Sequence, residues 1–424
     1  MKFVLASWGS RGDIEPFAAV GRELLDRGHD VQLAVSPDMV GFVSAVGLPA
    51  VPYGPNVQPI AHAHRAYWTC LFRNFWKLQE MSRLRAEVWN PIAECWQEMS
   101  QTLMSVADGA DLLFTGLNIE DIAANVAEYY GIPLATQHWF PLRPNGQLLS
   151  FLPAPMTRSA IRAFWWLSWR GTKTLEDTQR RALGLSEARC SGIRRITERG
   201  SLEIQAYDDF FFPGLKTEWT KFNDQRPFVG TLTMELPTEA DEDVLSWISA
   251  GTPPIFFGFG SIPVESPAET LAKIDTACAQ LDERALVCAA SSDFSSVANF
   301  ERVKVVQTMN YASIFPACRA VVHHGAPGTT AAGLRAGVPA LILSTDIDQT
   351  VWGAAVKRMQ VGTARHFSTA TQETLIADLR TILAPEYAAR AREIAARMSK
   401  PTESVMAAAD LVEDFARHGA ARQR

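Results

Sequence analysis

The sequence predicts an α/β protein of two doubly wound halves, and three observations carry that expectation. At 424 residues the chain exceeds what one hydrophobic core usually serves, so two domains are expected. Short apolar runs alternate with helical stretches, the rhythm of buried parallel strands and their crossover helices. A glycine-bearing turn lies between an apolar run and a helix start in each half: Gly9-Ser10-Arg11-Gly12-Asp13 early, and His323-His324-Gly325-Ala326-Pro327-Gly328-Thr329-Thr330 late.

Residues 3–6 read as the first strand, 15–27 as an amphipathic helix, Gly28-His29-Asp30 as a turn and 31–35 as the second strand. Ser36, Pro37 and Asp38 then supply an N-cap, a proline for the first helical position and an acid for the first turn. That helix stops near Gly47, before a strand at 48–51. Residues 111–114 and 132–135 are further strands around a helix at 121–130, and the half closes near Phe212-Pro213-Gly214. After the polar stretch 216–227 a second series begins. Strands are expected at 255–259, 285–288, 303–306, 320–323 and 340–343, with helices at 267–281, 330–336 and up to Met359. The tail is helical on either side of Pro401. The expected domains are 1–215, 216–395, and a closing helix within 396–424 that crosses back onto the first domain. Two Rossmann-like, doubly wound halves would face a central cleft with the carboxyl ends of their strands, where open α/β sheets bind ligands.

Composition narrows the function classes. Hydrophobic content of 47% with 20% charged residues is that of a soluble globular protein, and the net charge of -6 argues against nucleic acid as a main partner. Six cysteines are scattered without C-x-x-C spacing, which suggests neither a disulfide framework nor a zinc site and fits a reducing cytoplasm. No apolar window reaches the ~18 residues of a spanning helix, and the amino terminus is too short for a signal-peptide core.

The late turn reads as an anion seat. Its amide groups and the positive end of the following helix favour negative charge, and Gly325 and Gly328 let the main chain approach it. Asp348 and Gln349, one βα step later, offer acceptors and donors close together, which suits vicinal sugar hydroxyls, although Asp346 or Asp348 would serve equally as a helix cap. Ser261 follows Gly258-Phe259-Gly260 at another strand end and could donate to a phosphate oxygen. The early turn departs from the dinucleotide pattern G-x-G-x-x-G. Asp13 there is either a general base for a hydroxyl or an ordinary cap for the helix at Glu15, and Arg11 would pair with a phosphate or with Asp13 itself.

Taken together, the turn 9–13 with Ile14-Glu15-Pro16-Phe17, the 323–332 phrase, Ala336-Gly337-Val338-Pro339 and Asp348-Gln349 resemble family 1 glycosyltransferases of the GT-B fold. The likeness is to the bacterial branch that glycosylates natural products and glycolipids, including mycobacterial glycopeptidolipid glycosyltransferases, and to sterol glucosyltransferases. It spans nearly the whole chain and is weakest at 52–104 and 142–203. The resemblance implies inverting transfer from a nucleoside diphosphate sugar, UDP- or dTDP-linked, with no metal and no further cofactor. By the family's pattern Asp13 would be the base. Ser10, Arg11, Gly12, Ser261, Met309, His324, Gly325, Gly328, Thr329, Asp348 and Gln349 would bind the donor, the nucleobase resting near 306–309. The usual phrase after the two histidines is richer in glycine and serine; Ala326 and Pro327 stand here instead, and proline contributes no N–H.

The acceptor side is aromatic and basic. Residues 151–200 hold ten Lys or Arg against four Asp or Glu, around Phe164-Trp165-Trp166-Leu167-Ser168-Trp169. On a helix Ile161, Trp165 and Trp169 share one stripe, with Arg158, Arg162 and Arg170 beside it, so 158–170 would dock peripherally on an anionic membrane, line a large acceptor pocket, or simply pack. Tyr67, Phe72, His138 and Trp139 are expected around a bulky, hydroxylated, hydrophobic acceptor such as a lipid or glycolipid. Two other functions stay open from sequence: a nucleotide-sugar epimerase on the same fold, and a non-catalytic nucleotide-sugar binding partner.

Overall fold

The computed structural model describes residues 1–422 apart from 75, 119, 149–151, 261–263, 265, 291, 293 and 295–299. It contains two six-stranded sheets, and every pairing between their strands is parallel. The first holds β1 (Lys2–Ser7), β2 (Asp30–Val35), β3 (Ala50–Pro52), β4 (Leu112–Gly116), β5 (Leu134–His138) and β6 (Leu202–Gln205), in the order β3-β2-β1-β4-β5-β6. The second holds β7 (Ile255–Gly258), β8 (Ala285–Cys288), β9 (Val303–Val306), β10 (Ala320–His323), β11 (Ala340–Ser344) and β12 (Gly362–His366), in the order β12-β11-β10-β7-β8-β9. Both sheets therefore start in the middle, wind to one edge, return and wind to the other. The strand order reverses between β1 and β4 in one and between β7 and β10 in the other, which are the points where a doubly wound sheet opens a crevice at its strand ends.

The central strands β1, β4, β7 and β10 read as largely apolar runs because helices cover both faces. Phe3, Val4, Leu5 and Ala6 of β1 are fully buried, as are Ala320 and Val321 of β10. The Arg11–Asp26 helix buries Ile14, Phe17, Ala18, Val20, Gly21 and Leu24 on one face. Gly21 brings it close to the sheet: a Cβ there would meet Leu5 and Leu33 at 3.3 Å.

By its contacts the chain forms two compact units, one of residues 1–60, 83–234 and 399–424, the other of 61–82 and 235–398. Residues 216–227, expected to open the second half, belong to the first. The cause is local pairing: Glu203 N donates to Gln225 O at 2.6 Å and Gln205 N to Pro227 O at 2.8 Å, so the segment runs along the β6 edge. The Pro401–Arg422 helix lies against the Arg11–Asp26 helix in the same unit, where Arg27 Nη1 reaches Asp410 at 2.7 Å and Glu413 at 3.0 Å. Periodicity missed the 30-residue helix Leu78–Ala107, which contains Pro91, and the edge strands β6 and β12.

Candidate functional site

In the first unit the loops after β1 and β4 meet at the reversal point. The helix expected to begin at Glu15 begins at Arg11, because Ser10 is its N-cap and Asp13 its third residue, joined in a capping box. Ser10 N donates to Asp13 Oδ2 at 2.7 Å and Ser10 Oγ at 3.2 Å. From the β4 loop, Asn118 Nδ2 donates to Asp13 Oδ1 at 3.3 Å and to Trp8 O at 3.0 Å. The half-buried carboxylate is thus held by donors on both oxygens. Gly9, at φ +149°, is part of the arrangement, since a Cβ there would overlap the Asp13 carboxylate. Arg11 does not pair with Asp13; it reaches Glu15 Oε2 at 2.9 Å and lies 4.9 Å from the Phe42 ring. Ser10 is half-buried and Gly12 exposed in the same turn.

The second unit repeats the device. The loops after β7 and β10 meet where its strand order reverses, and a Cβ on Gly260 would overlap the His324 ring. The Pro327–Arg335 helix starts immediately after, with Ala326 as N-cap and Pro327 first, a position where the missing N–H has no intrahelical acceptor to lose. Thr330 N makes the first intrahelical bond, to Ala326 O at 2.9 Å, so Gly328 and Thr329 carry the amides that a helix N-terminus leaves for an outside acceptor. Gly325 differs from expectation: its N–H donates to His323 Nδ1 at 3.0 Å and so is already committed within the turn. Its role is conformational, at φ +101°, where a Cβ would strike Ile342 Cγ2 at 2.8 Å and Gln349 Cβ at 3.2 Å. Burial pushes His324 down to about 4 and His323 to about 3, so both rings are neutral at pH 7. Among the described residues His324 Nδ1 has no hydrogen-bond partner. A buried polar atom without a partner is costly, and an arriving acceptor or donor would satisfy it.

The β11 loop completes this side. Asp346 caps the Ile347–Arg358 helix, accepting from Ile347 N at 2.5 Å, and Asp348 follows in the first turn. Gln349 Oε1 accepts from Thr345 N at 2.8 Å and Thr345 Oγ1 at 3.0 Å, which directs its amide nitrogen away from that loop. A Cβ on Gly325 would come within 3.2 Å of Gln349 Cβ, so the 323–330 turn and the Asp348-Gln349 pair are neighbours.

Expectations for His138 on the acceptor side and Met309 on the donor side are corrected. His138 has no exposed surface; its Nε2 lies 2.8 Å from Glu120 Oε1 and its Nδ1 3.1 Å from Gln205 Nε2. Glu120 is held by Arg143 at 2.9 Å and 3.2 Å, and Arg143 also bonds Glu203, so His138 is part of a sealed ionic network rather than a pocket wall. Met309 is buried in the cluster with Phe256, Cys288 and Ile314, and offers no side-chain face to a nucleobase. Trp139 and Tyr67 are half-buried. Ser261 and the Phe72 side chain lie outside the described residues. Ile161 and Trp169 face inward, Trp169 Nε1 donating to Glu176 at 2.8 Å, while Trp165 Nε1 donates to Leu142 O at 3.0 Å and Arg158 pairs with Glu218. The exposed face of the Ala154–Ala182 helix is a different one, with Phe164 57%, Trp166 56% and Leu167 62% exposed.

Sequence reasoning did not single out Asn118 or the Glu120, Arg143 and Glu203 network. Asn118 follows a strand that the sequence located, but only the strand order makes it a neighbour of Asp13. Among the described residues no group of three or more His, Cys, Asp or Glu converges as a metal site would, and no helix is long and apolar enough to cross a membrane.

Comparison with known proteins identifies the family and the fold. The C-terminal domain of erythromycin biosynthesis protein CIII-like proteins matches residues 268–413, and the glycosyltransferase family 28 N-terminal domain matches residues 3–106. The chain is 53% identical over 425 residues to an uncharacterized glycosyltransferase of Mycobacterium leprae, covering 100% of this chain and 99% of that one. It is 28% identical over 445 residues to a sterol 3-beta-glucosyltransferase of Arabidopsis thaliana, covering 99% of this chain and 68% of that one. Among solved structures, the glycotransferase of kitacinnamycin superposes with a TM-score of 0.66 at 18% identity, covering 97% of this chain and 98% of that one. A Streptomyces sp. SF2575 glycosyltransferase complexed with thymidine diphosphate gives 0.60 at 19% identity, with 96% and 99% covered. These likenesses establish the two-domain GT-B fold.

Proposed function

The chain belongs to the UDP-glycosyltransferase-like family and is a glycosyltransferase, and from that premise we propose that it transfers a hexose from a nucleoside diphosphate sugar to a hydroxyl of a hydrophobic acceptor, inverting the anomeric carbon without a metal ion. The observation that carries this reading is the Asp13 carboxylate, fixed by Ser10 and Asn118 at a strand-end crevice. Asp13 takes the proton of the acceptor hydroxyl as its oxygen attacks the anomeric carbon. The bond from that carbon to the diphosphate oxygen breaks, and its electron pair leaves with the diphosphate. The amides of Gly328 and Thr329, the helix N-terminus and an N–H of neutral His324 meet the developing charge, which is what a metal would otherwise do. Asp348 and the Gln349 amide hold sugar hydroxyls, next to Gly325.

The acceptor is a lipid or glycolipid in this reading, met at a membrane surface through 158–170. Support comes from the exposed Phe164, Trp166 and Leu167, from exposed Arg162 and Arg170, and from the absence of any Asp or Glu between residues 154 and 175. A basic amphipathic helix with outward aromatics suits the interface of an anionic bilayer.

The test is a panel of UDP- and dTDP-linked hexoses with lipid acceptors, run on the unaltered chain and on Asp13→Asn. Glycosylated lipid with the unaltered chain, lost in the variant while nucleotide binding survives, supports the proposal. Epimerised donor without transfer, or full transfer by the variant, overturns it.

A further inference from the structure

We infer that His64 is a positioning residue for donor-sugar choice, acting through Asp346 on the turn that presents Asp348 and Gln349. This rests on the assignment of that turn to the donor sugar.

His64 lies in the Val57–Arg73 helix, and residues 61–82 pack with the second unit, whereas the chain on either side of them belongs to the first. Its Nδ1 is 3.3 Å from Asp346 Oδ2, and Asp348 acts on the same imidazole electrostatically. Asp346 is the hinge of this arrangement. Its Oδ1 caps the Ile347–Arg358 helix through Ile347 N, so one short side chain joins the helix start to His64. Thr345 fastens Gln349 from the other side with two hydrogen bonds to Oε1. Thr345, Asp346 and Gln349 are therefore tied to the same helix start, and His64 meets it through Asp346. Asp348, between Asp346 and Gln349, has its position set by the same cap.

Recognition of a hexose by two adjacent polar side chains depends on placement to a fraction of an ångström, because epimers differ only in the direction of one hydroxyl. A contact that fixes the turn therefore acts on the sugar and not on the nucleotide. The segment that supplies His64 falls within 52–104, one of the two stretches where the resemblance is weakest.

The experiment uses the full chain and the variants His64→Ala, His64→Asn and Asp346→Ala, with calorimetric binding of a nucleotide hexose and of the free nucleoside diphosphate, and donor KM for two epimeric hexoses. Asn places an amide N–H near the position of Nδ1. His64→Ala is expected to weaken nucleotide-hexose binding about five-fold, the scale of one modest hydrogen bond, and to narrow the preference between epimers. Free diphosphate binding should be unchanged, His64→Asn should recover most of the loss, and combining His64→Ala with Asp346→Ala should add little to Asp346→Ala alone. Equal weakening of nucleotide hexose and free diphosphate, no rescue by Asn, or full additivity would overturn the inference while leaving glycosyl transfer standing. If the unaltered chain binds neither ligand, the donor-site assignment falls, and this inference with it.

Discussion

Asn118 Nδ2 lies 3.3 Å from Asp13 Oδ1, a contact that spans 105 residues of sequence and joins the two loops at which the first sheet reverses its strand order. It leaves the carboxylate with a fixed orientation, because Ser10 N already occupies Oδ2 at 2.7 Å. Replacing Asn118 by Ala is expected to lower kcat/KM about ten-fold, the scale of a misoriented general base. Asn118→Asp should lower it further and move the acid limb of the rate profile to higher pH, since a second carboxylate raises the pKa of its neighbour. Initial rates from pH 5 to 9 on both variants check this; an unmoved acid limb would show that Asp13 is not the titrating group.

Gly9→Ala sets a side chain on a residue at φ +149° and against the Asp13 carboxylate. The expected result is a stability loss of about 1–3 kcal/mol together with a disproportionate loss of transfer, since relief of the clash displaces the base. Urea unfolding paired with turnover separates the two; a destabilised variant with undiminished turnover would contradict it.

His324 carries a pH signature. Its folded-state value is depressed to about 4, below the ordinary 6.5 of an unfolded histidine. Between those values the unfolded chain binds the proton and the folded one does not, so this group's contribution is fully present above pH 6.5 and is lost as pH falls toward 4. His323, depressed to about 3 by the same burial, acts in the same direction over a slightly wider window. His324→Asn should therefore lessen the drop in stability between pH 7 and pH 4.5, read from denaturant midpoints. An equal or steeper drop would mean that the ring is charged in the folded protein.

The two faces of the Ala154–Ala182 helix should separate in vesicle binding. Trp166→Ser with Leu167→Ser removes exposed apolar surface and is expected to reduce association with anionic vesicles several-fold at unchanged melting temperature. Trp169→Ala empties a buried site and orphans Glu176 Oε2, which should cost about 3–5 kcal/mol. Vesicle flotation and thermal melting of both variants decide it, and undiminished flotation of the double variant would remove the membrane contact from the proposal.

Arg143→Met tests the sealed network behind His138. Glu120 and Glu203 are both held below the usual carboxylate range, with Arg143 the leading attraction against the cost of burial. Removing the guanidinium leaves two buried carboxylates short of a cation and should destabilise the protein by about 3–5 kcal/mol, with acceptor KM unaffected in the folded fraction. A raised acceptor KM without loss of stability would return this cluster to the acceptor site.

Much of the fold was legible because it is written in local periodicity. The strands at 285–288, 303–306 and 320–323 and the helix 267–281 occur with those bounds, since each is a short run rich in β-branched or apolar residues, or a helical period, set off by turn residues. The Ser36-Pro37-Asp38 start was equally readable, though it opens a short 3-10 turn before the helix Val40–Ala45. The helix start at Arg11 was not, because Pro16 and Glu15 resemble a first turn and the Ser10 and Asp13 capping box outweighs them.

The sequence by itself determined the two doubly wound halves, the glycine-bearing turn before the helix that Pro327 opens, and the residue types available for acid, amide and imidazole chemistry. Tertiary structure decided which of those groups meet. Strand order brought Asn118 to Asp13 and Gly260 to His324, burial removed His138 and Met309 from contact with ligands, and packing chose which face of the Trp-rich helix looks outward. The division has a physical cause: periodicity and capping act within a few residues and can be read along the chain, whereas adjacency across a sheet depends on the order of its strands, and no local signal encodes that order.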